Sequence, residues 1–298
     1  MPDPSNPTGR VIDVLNFLAA RPTETFSLAE IARHLGLSNG SAHRILTTLA
    51  AAQFLSRNEK RRTYSLGVAM VAIGQAAVEK HRGVETARRE IARLAVELNV
   101  QCSANAVIDD EILVLAKEGA PQSHRGLTRV GERRPLVPPL GLCHVAWGGE
   151  AAIERYVGRA APYIGEEVRA HLLAAFPLIR RRGYAIAANG PGTSHTREAT
   201  ALSAGQARDE AYWASVFAMV GNLTVDEVQL FDVGGAGADG VSYITAPVFS
   251  PTGTVAMQLV ISGIARTLPR DEIERYADRL RATAALVTSE THGKPPQD

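Results

Sequence analysis

"IARHLGLSNGSAHRIL", residues 31–46, is the stretch on which the reading of this chain turns. Two apolar-periodic runs flank Gly36, which is placed to stop a helix in the left-handed region. Ser38 or Asn39 can cap the run that follows. The stretch therefore predicts two helices joined by the short turn Gly-Leu-Ser-Asn. Most helical hairpins read nothing, so the surroundings must decide what this one does.

Just upstream, "SLAE" at 27–30 is a capping box, with Ser27 as the cap and Glu30 reaching back. It opens the first helix of the pair with Leu28, Ile31, Ala32 and Leu35 inward. Before it, Val11, Val14, Leu15 and Leu18 recur at helical spacing from Arg10 onward, and "RPT" at 21–23 ends that run. Downstream, "FLSR" and "TYSL" flank "NEKRR", which reads as a short β-hairpin with a basic tip.

On a wheel of 100° per residue the second helix of the pair turns Ala42, Ile45, Leu46 and Leu49 to one side. Gly40, Arg44 and Thr47 fall opposite, with Ser41, His43 and Thr48 on the flanks. That outer side has small hydrogen-bonding groups, one Arg and no carboxylate, so it can approach a polyanion closely. With a helix before the pair and a cationic hairpin after it, the expected module is a winged helix-turn-helix over residues 9–67. Ser38 and Asn39 would anchor the reading helix, and Ser41, His43, Arg44 and Thr47 would reach the groove. Lys60, Arg61 and Arg62 would hold phosphates. The charge distribution agrees. The whole chain has a formal net charge of +1, but residues 1–82 hold 10 Lys/Arg against six Asp/Glu, while the rest of the chain is net negative.

The remainder has a different texture. Residues 1–8 are polar and Pro-rich, an expected disordered arm. "GVAMVAIGQAAVEKHR" is Ala-rich with little to pack a core, so residues 68–83 read as a linker helix. From residue 84 to 290 strand-like and helix-like runs alternate. "QCSANAVID" and "EILVLAKEG" turn at Asp109-Asp110, and "YAIAA" and "VQLFDV" also read as strands. "HVAWGGEAAIERYV" and "EEVRAHLLAAFPLIRRRG" read as helices. "VSYITAPVFSPTGTVAMQLVISG" reads as an antiparallel hairpin, "PRDEIERYADRLRATAALVTSE" as a closing helix, and 291–298 as a flexible tail. The fold class is α+β.

Cys102 and Cys143 make no metal or disulfide pattern, and the eight His show no ligand spacing. No cofactor, metal or catalytic set is expected. No signal peptide or membrane span is legible, so a reducing cytoplasm is the expected compartment. "GAGADG" at 235–240 matches a dinucleotide loop only formally, since a strand-like run follows where a helix is needed. Cys143-His144 cannot face each other on a helix and are expected to be a buried thiol and a boundary His. His124, His171 and His195 read as surface or loop residues, and the Arg run in "IRRRG" as a helix cap.

Several runs in series carry a family resemblance. "RVIDVLNFLA", "FSLAEIARHLGLSNGSAHRILTTLAAAQFL" and "YSLG" resemble the winged helix-turn-helix of the IclR family of bacterial transcriptional regulators. "RVGERRPLVPPLGLCHVAW", "IRRRGYAI" and "ITAPVFSPTGTVAMQLVISG" are similar to later landmarks of that family, in the right order. The resemblance implies a GAF-like effector-binding domain and a homodimer built through the heads, often a dimer of dimers. It also implies a pseudo-palindromic DNA operator released or bound under control of a small organic effector. Its pocket would be lined by the Pro139-Leu140-Gly141 region, Tyr243, Val260 and Ser262. Some members carry small polar or thiol groups where Tyr243 and Val260 stand, so a narrower, less polar site is expected here. The chain departs from the family with an insertion near 191–236. Its apolar cluster (Tyr212, Trp213, Val216, Phe217, Val220) is expected to lid the pocket, add an oligomer contact, or be mere decoration. The competing class is an enzyme with a catalytic second domain and a head that only dimerises; no nucleophile and base set supports it. A third reading is a sensor acting through protein contacts alone.

Overall fold

The computed structural model describes residues 6–120, 129–190, 210–233, 240–264 and 267–296. The chain divides into two compact units, with the main boundary after His81; residues 210–212 also group with the first.

The first unit opens with α1 (Pro7–Ala19). The Asn6 side chain caps it, taking the Thr8 amide at 3.0 Å, with Pro7 in the first turn, where its missing N–H costs nothing. Residues 7 and 8, expected in the disordered arm, are therefore helical; residues 1–5 lie outside the described ones. The two-residue strand β1 (Phe26–Ser27) precedes α2 (Leu28–His34), and α3 spans Asn39–Ala51. The capping box is present, with the Ser27 amide and hydroxyl both donating to Glu30 Oε2 at 2.8 and 2.7 Å. These bonds hold the Glu30 carboxyl below its usual pKa. Gly36 has φ +61, as the helix stop requires. Strands β2 (Leu55–Asn58) and β3 (Thr63–Leu66) form the hairpin, and the sheet order is β1-β3-β2. β1 was not legible, because two residues carry no period. Val14, Phe17, Leu18, Ile31, Leu46, Leu49, Leu55 and Tyr64 form one core. Fully burying each of the large apolar ones stabilises by about 1.5–3 kcal/mol before chain entropy is counted. Helix α4 (Ala69–Lys80) follows, and none of its residues is buried. It is shorter than the expected linker, since the next helix starts at Arg82.

The second unit is built on a six-stranded antiparallel sheet of order β6-β5-β4-β9-β8-β7. Its members are β4 (Gln101–Ile108), β5 (Glu111–Glu118), β6 (Arg133–Pro135), β7 (Ala185–Ala188), β8 (Val241–Phe249) and β9 (Val255–Ser262). The Asp109-Asp110 turn and the β8–β9 hairpin stand where expected; Asp109 has φ +53 and Gly253 φ +82. One sheet face carries α5 (Arg82–Leu98) and the closing helix, here α11 (Arg270–Glu290). Ile91, Leu94 and Leu98 of α5, and Tyr276, Leu280 and Val287 of α11, meet Cys102, Ala104, Ile244, Leu259 and Ile261 there. On the other face α6 (Leu142–Ala146) packs on β8 and β9. It is followed by α7 (Glu150–Ala160) and α8 (Glu166–Arg182). After β7 come α9 (Glu210–Val220) and the short α10 (Val225–Val228).

Four expectations are corrected here. "HVAWGGEAAIERYV" is two helices, because Gly149 at φ +80 breaks the run between α6 and α7. "VQLFDV" is not a strand. Only the Leu230 amide reaches Ile186 O, at 2.8 Å, and the Gln229 side chain takes the Ile186 amide that a ladder would have used. The tail is tied down as far as Lys294, whose amide donates to Ser250 O at 3.1 Å. His171 is half-buried, stacked 4.0 Å from Phe231 with Nε2 2.7 Å from Gln229 O. His124, His195 and residues 191–209 of the expected insertion lie outside the described residues, as does 235–239 of "GAGADG". Gly240 leads into strand β8, so no helix stands where a dinucleotide loop needs one. Arg180 and Arg182 donate to Ala146 O and Leu230 O, which agrees with a structural use of that Arg run. Among the described residues, no helix is long and apolar enough to cross a membrane.

Candidate functional site

The candidate nucleic-acid interface is built on α3. Ser38 is its N-cap, with Oγ accepting the Ser41 amide at 3.2 Å. Asn39 is thus the first helical residue, and the choice between the two caps falls to Ser38. Asn39, Gly40, His43, Arg44, Thr47 and Thr48 are exposed, while Ala42, Leu46 and Leu49 are buried. No acidic residue stands in the first turn, so the positive end of the helix dipole is unopposed there.

Ser41 is a correction. It is only 9% exposed, and its Oγ faces the Arg10 guanidinium at 3.5 Å. A helix turns 100° per residue, and position 41 shares the inner side with Ala42 more than the wheel implied. It positions α1 against α3 rather than reaching outward.

The wing tip spans residues 59–62, since Asn58 pairs with Thr63. The Asn58 side chain accepts the Arg61 amide at 3.0 Å, and Arg62 takes φ +53 to close the turn. Lys60, Arg61 and Arg62 are all exposed. Arg57, which sequence reading passed over, lies 5.9 Å over the Tyr64 ring and 3.5 Å from Glu59. That pairing takes up the one acidic charge at the tip. Its position just before a basic turn was the available signal. Gly67 anchors the wing. Its amide donates to Phe54 O at 2.7 Å, and a Cβ there would stand 2.2 Å from Gln53 O.

The second site is the sheet face away from α5 and α11. Strand pairing puts Gln101 beside Ser262, and Ser262 beside Tyr243, so these share a face. The next row holds Lys117, Ser103, Val260 and Thr245. The row after that brings Asn105 beside Gln258. The Tyr243 hydroxyl donates to Pro139 O at 2.6 Å, and Tyr156 OH donates to Leu140 O at 2.7 Å, so the 139–141 turn lies over β8. Gly141 has φ +82 and closes against Leu136 and Ile112. The expected Leu140, Gly141, Tyr243, Val260 and Ser262 are thus brought to one place.

Sequence reading missed the polarity of this face. Gln101, Ser103, Asn105, Thr245 and Gln258 are buried on it, polar groups that the expectation drawn from Tyr243 and Val260 did not count. The signal was the alternation in "QCSAN", polar at every second position inside an apolar strand. Cys143 Sγ donates to Thr245 O at 3.1 Å, and burial pushes this thiol up to about 12, so no thiolate forms. His144, half-buried, has its pKa lowered by burial. No group of three or more His, Cys, Asp or Glu among the described residues is placed to hold a metal ion.

A capped reading helix, a cationic wing and an appended mixed helix–sheet domain define the class: a DNA-binding transcriptional regulator. The family model of the IclR helix-turn-helix domain matches residues 8–59. Over 287 residues the chain is 21% identical to the HTH-type transcriptional regulator XynR of Escherichia coli K12, covering 96% of each protein. Among solved structures it is similar to an IclR-type regulator from Alicyclobacillus acidocaldarius, with TM-score 0.69 and 19% identity over 96% of this chain and 98% of that one. It is also similar to an IclR homologue from Microbacterium hydrocarbonoxydans complexed with 4-hydroxybenzoate, with TM-score 0.66, 17% identity and coverage of 96% and 99%. Residues 8–59 thus match the IclR helix-turn-helix domain, and nearly the whole chain is similar to an IclR-type regulator in fold. The proteins it resembles are regulators, and nothing in the comparisons supports the competing enzyme class.

Proposed function

We propose that this protein binds a pseudo-palindromic operator in double-stranded DNA as a homodimer or dimer of dimers in the cytoplasm. A small organic molecule on the polar sheet face of the second unit modulates that binding. The observation that carries the DNA reading is the outer side of α3, exposed and free of carboxylates, beside a wing with three exposed cations. Asn39, His43, Arg44 and Thr47 contact the groove, Ser38 holds the helix end, and Lys60, Arg61 and Arg62 bind phosphates. Dimerisation is supported by α4, which buries nothing while Val68, Val71 and Ile73 stay 73%, 70% and 48% exposed. Such an apolar surface calls for a partner, and two-fold symmetry in the protein requires it in the operator. The effector reading is supported by the convergence of Leu140, Gly141, Tyr243, Val260 and Ser262, and by the relative that holds 4-hydroxybenzoate.

The test is binding of the full chain to its own upstream region by footprinting and anisotropy. Loss of one specific base contact costs about 1–3 kcal/mol, so Arg44→Ala weakens specific binding roughly 5- to 150-fold. Wild-type affinity in Arg44→Ala refutes the assignment.

A further inference from the structure

Gln101 is fully buried, and neither its Oε1 nor its Nε2 has a hydrogen-bond partner. Asn105 Oδ1, four residues along the same strand, is also buried without a partner. Native structures leave few such atoms unanswered, because each forfeits its hydration with no return. Both residues lie on the face just described, Gln101 in the row of Ser262 and Tyr243, Asn105 in the row of Gln258. At ~3.3 Å rise per residue their Cα atoms stand about 13 Å apart with side chains side by side, a span on the scale of a five- or six-carbon chain hydrogen-bonded at both ends.

The unanswered atoms define the chemistry that would complete them. Gln101 Oε1 and Asn105 Oδ1 accept only, and Gln101 Nε2 donates only. A carboxylate has acceptors alone: it answers Nε2 and leaves both carbonyl oxygens stranded. A hydroxyl donates and accepts at once, so two or more hydroxyls on one short chain answer all three atoms. Lys117, half-buried and opposite Ser103 in the row between, adds one cation to the face and accommodates an acid end group.

We infer that the effector is a polyhydroxylated small molecule, an alditol or its aldonate, and that Gln101 is the residue that selects it, with Asn105 taking a second hydroxyl. This rests on the reading of the face as the effector site.

Titration calorimetry on the full-length protein tests it with ribitol, glucitol, ribonate, gluconate and 4-hydroxybenzoate as probes. At least one hydroxylated probe binds the wild type, and Gln101→Leu lowers its affinity tenfold or more. Alditol against aldonate separates the neutral from the acidic ligand. Gln101→Leu melts no lower than wild type without ligand, since it removes unanswered polar atoms. If it fails to fold, Asn105→Ala takes its place, with a loss of several-fold expected. No binding by any hydroxylated probe, or binding unchanged in both variants, overturns the inference. Binding of 4-hydroxybenzoate that is abolished by Val260→Phe yet untouched by Gln101→Leu overturns it while sparing the effector site. A probe that binds equally well to Val260→Phe and Gln101→Leu brings down the site as well.

Discussion

The three wing cations give the most direct quantitative handle on the DNA interface. Lys60, Arg61 and Arg62 are exposed, and among the described residues none makes an ion pair. Neutralising each phosphate releases counterions, so each bound cation adds about 0.9 to the slope of log Kobs against log salt. Replacing all three removes about 2.7 units per protomer, or about 5.4 for two wings on one operator. Between about 50 and 200 mM salt, the wings' share of the affinity loss is then roughly 40-fold for one and on the order of a thousandfold for two. Lys60 and Arg61 go to Ala. Arg62 goes to Asn, because its φ of +53 suits Asn better than Ala. The core residues Leu55 and Tyr64 are untouched, so the hairpin remains packed. Fluorescence anisotropy on an operator duplex over a salt series measures both slopes. A triple variant with the wild-type slope means that the wing does not sit on the backbone, and the interface is then α3 alone.

Two further outcomes follow from packing and burial. Gly67→Ala drives a Cβ to 2.2 Å from Gln53 O, a backbone atom that cannot turn aside, and should destabilise the first unit by about 1–3 kcal/mol. Urea unfolding followed on that unit reads the change, and an unchanged midpoint contradicts the close approach. For His144, burial holds the folded pKa below its ordinary 6.5. The unfolded chain therefore takes up a proton first, and stability is lost as pH falls below about 6.5 toward the folded pKa. His144→Gln should show a smaller drop in urea midpoint between about pH 7.5 and 5.5 than the wild type, and an equal drop would contradict this.

Most helices were legible because their apolar residues repeat at helical spacing, though α6 and α7 read as one run and the four-residue α10 went unseen. Ser27 with Glu30, Gly36 and Ser38 mark the boundaries of α2 and α3 by local chemistry that needs no distant partner. The β8–β9 hairpin was legible for the same reason, a turn between two β-branched runs. What escaped was whatever depends on pairing. β1 and β6 have two and three residues, too few to show a period, and exist only because β3 and β5 lie beside them. "VQLFDV" has strand-like side chains but loses its ladder to the Gln229 amide.

The same division runs through the sites. The sequence alone settled that Arg44 and Thr47 face away from Leu46, since helix geometry is local, and that three cations cluster in a turn. Only the tertiary structure decided that Ser41 turns in toward Arg10. It alone decided that Gln101, Ser262 and Tyr243 stand in one row, from strands some 140 residues apart along the chain. Alternation in a strand separates two faces but does not say which is the ligand's; the partner strand's register does.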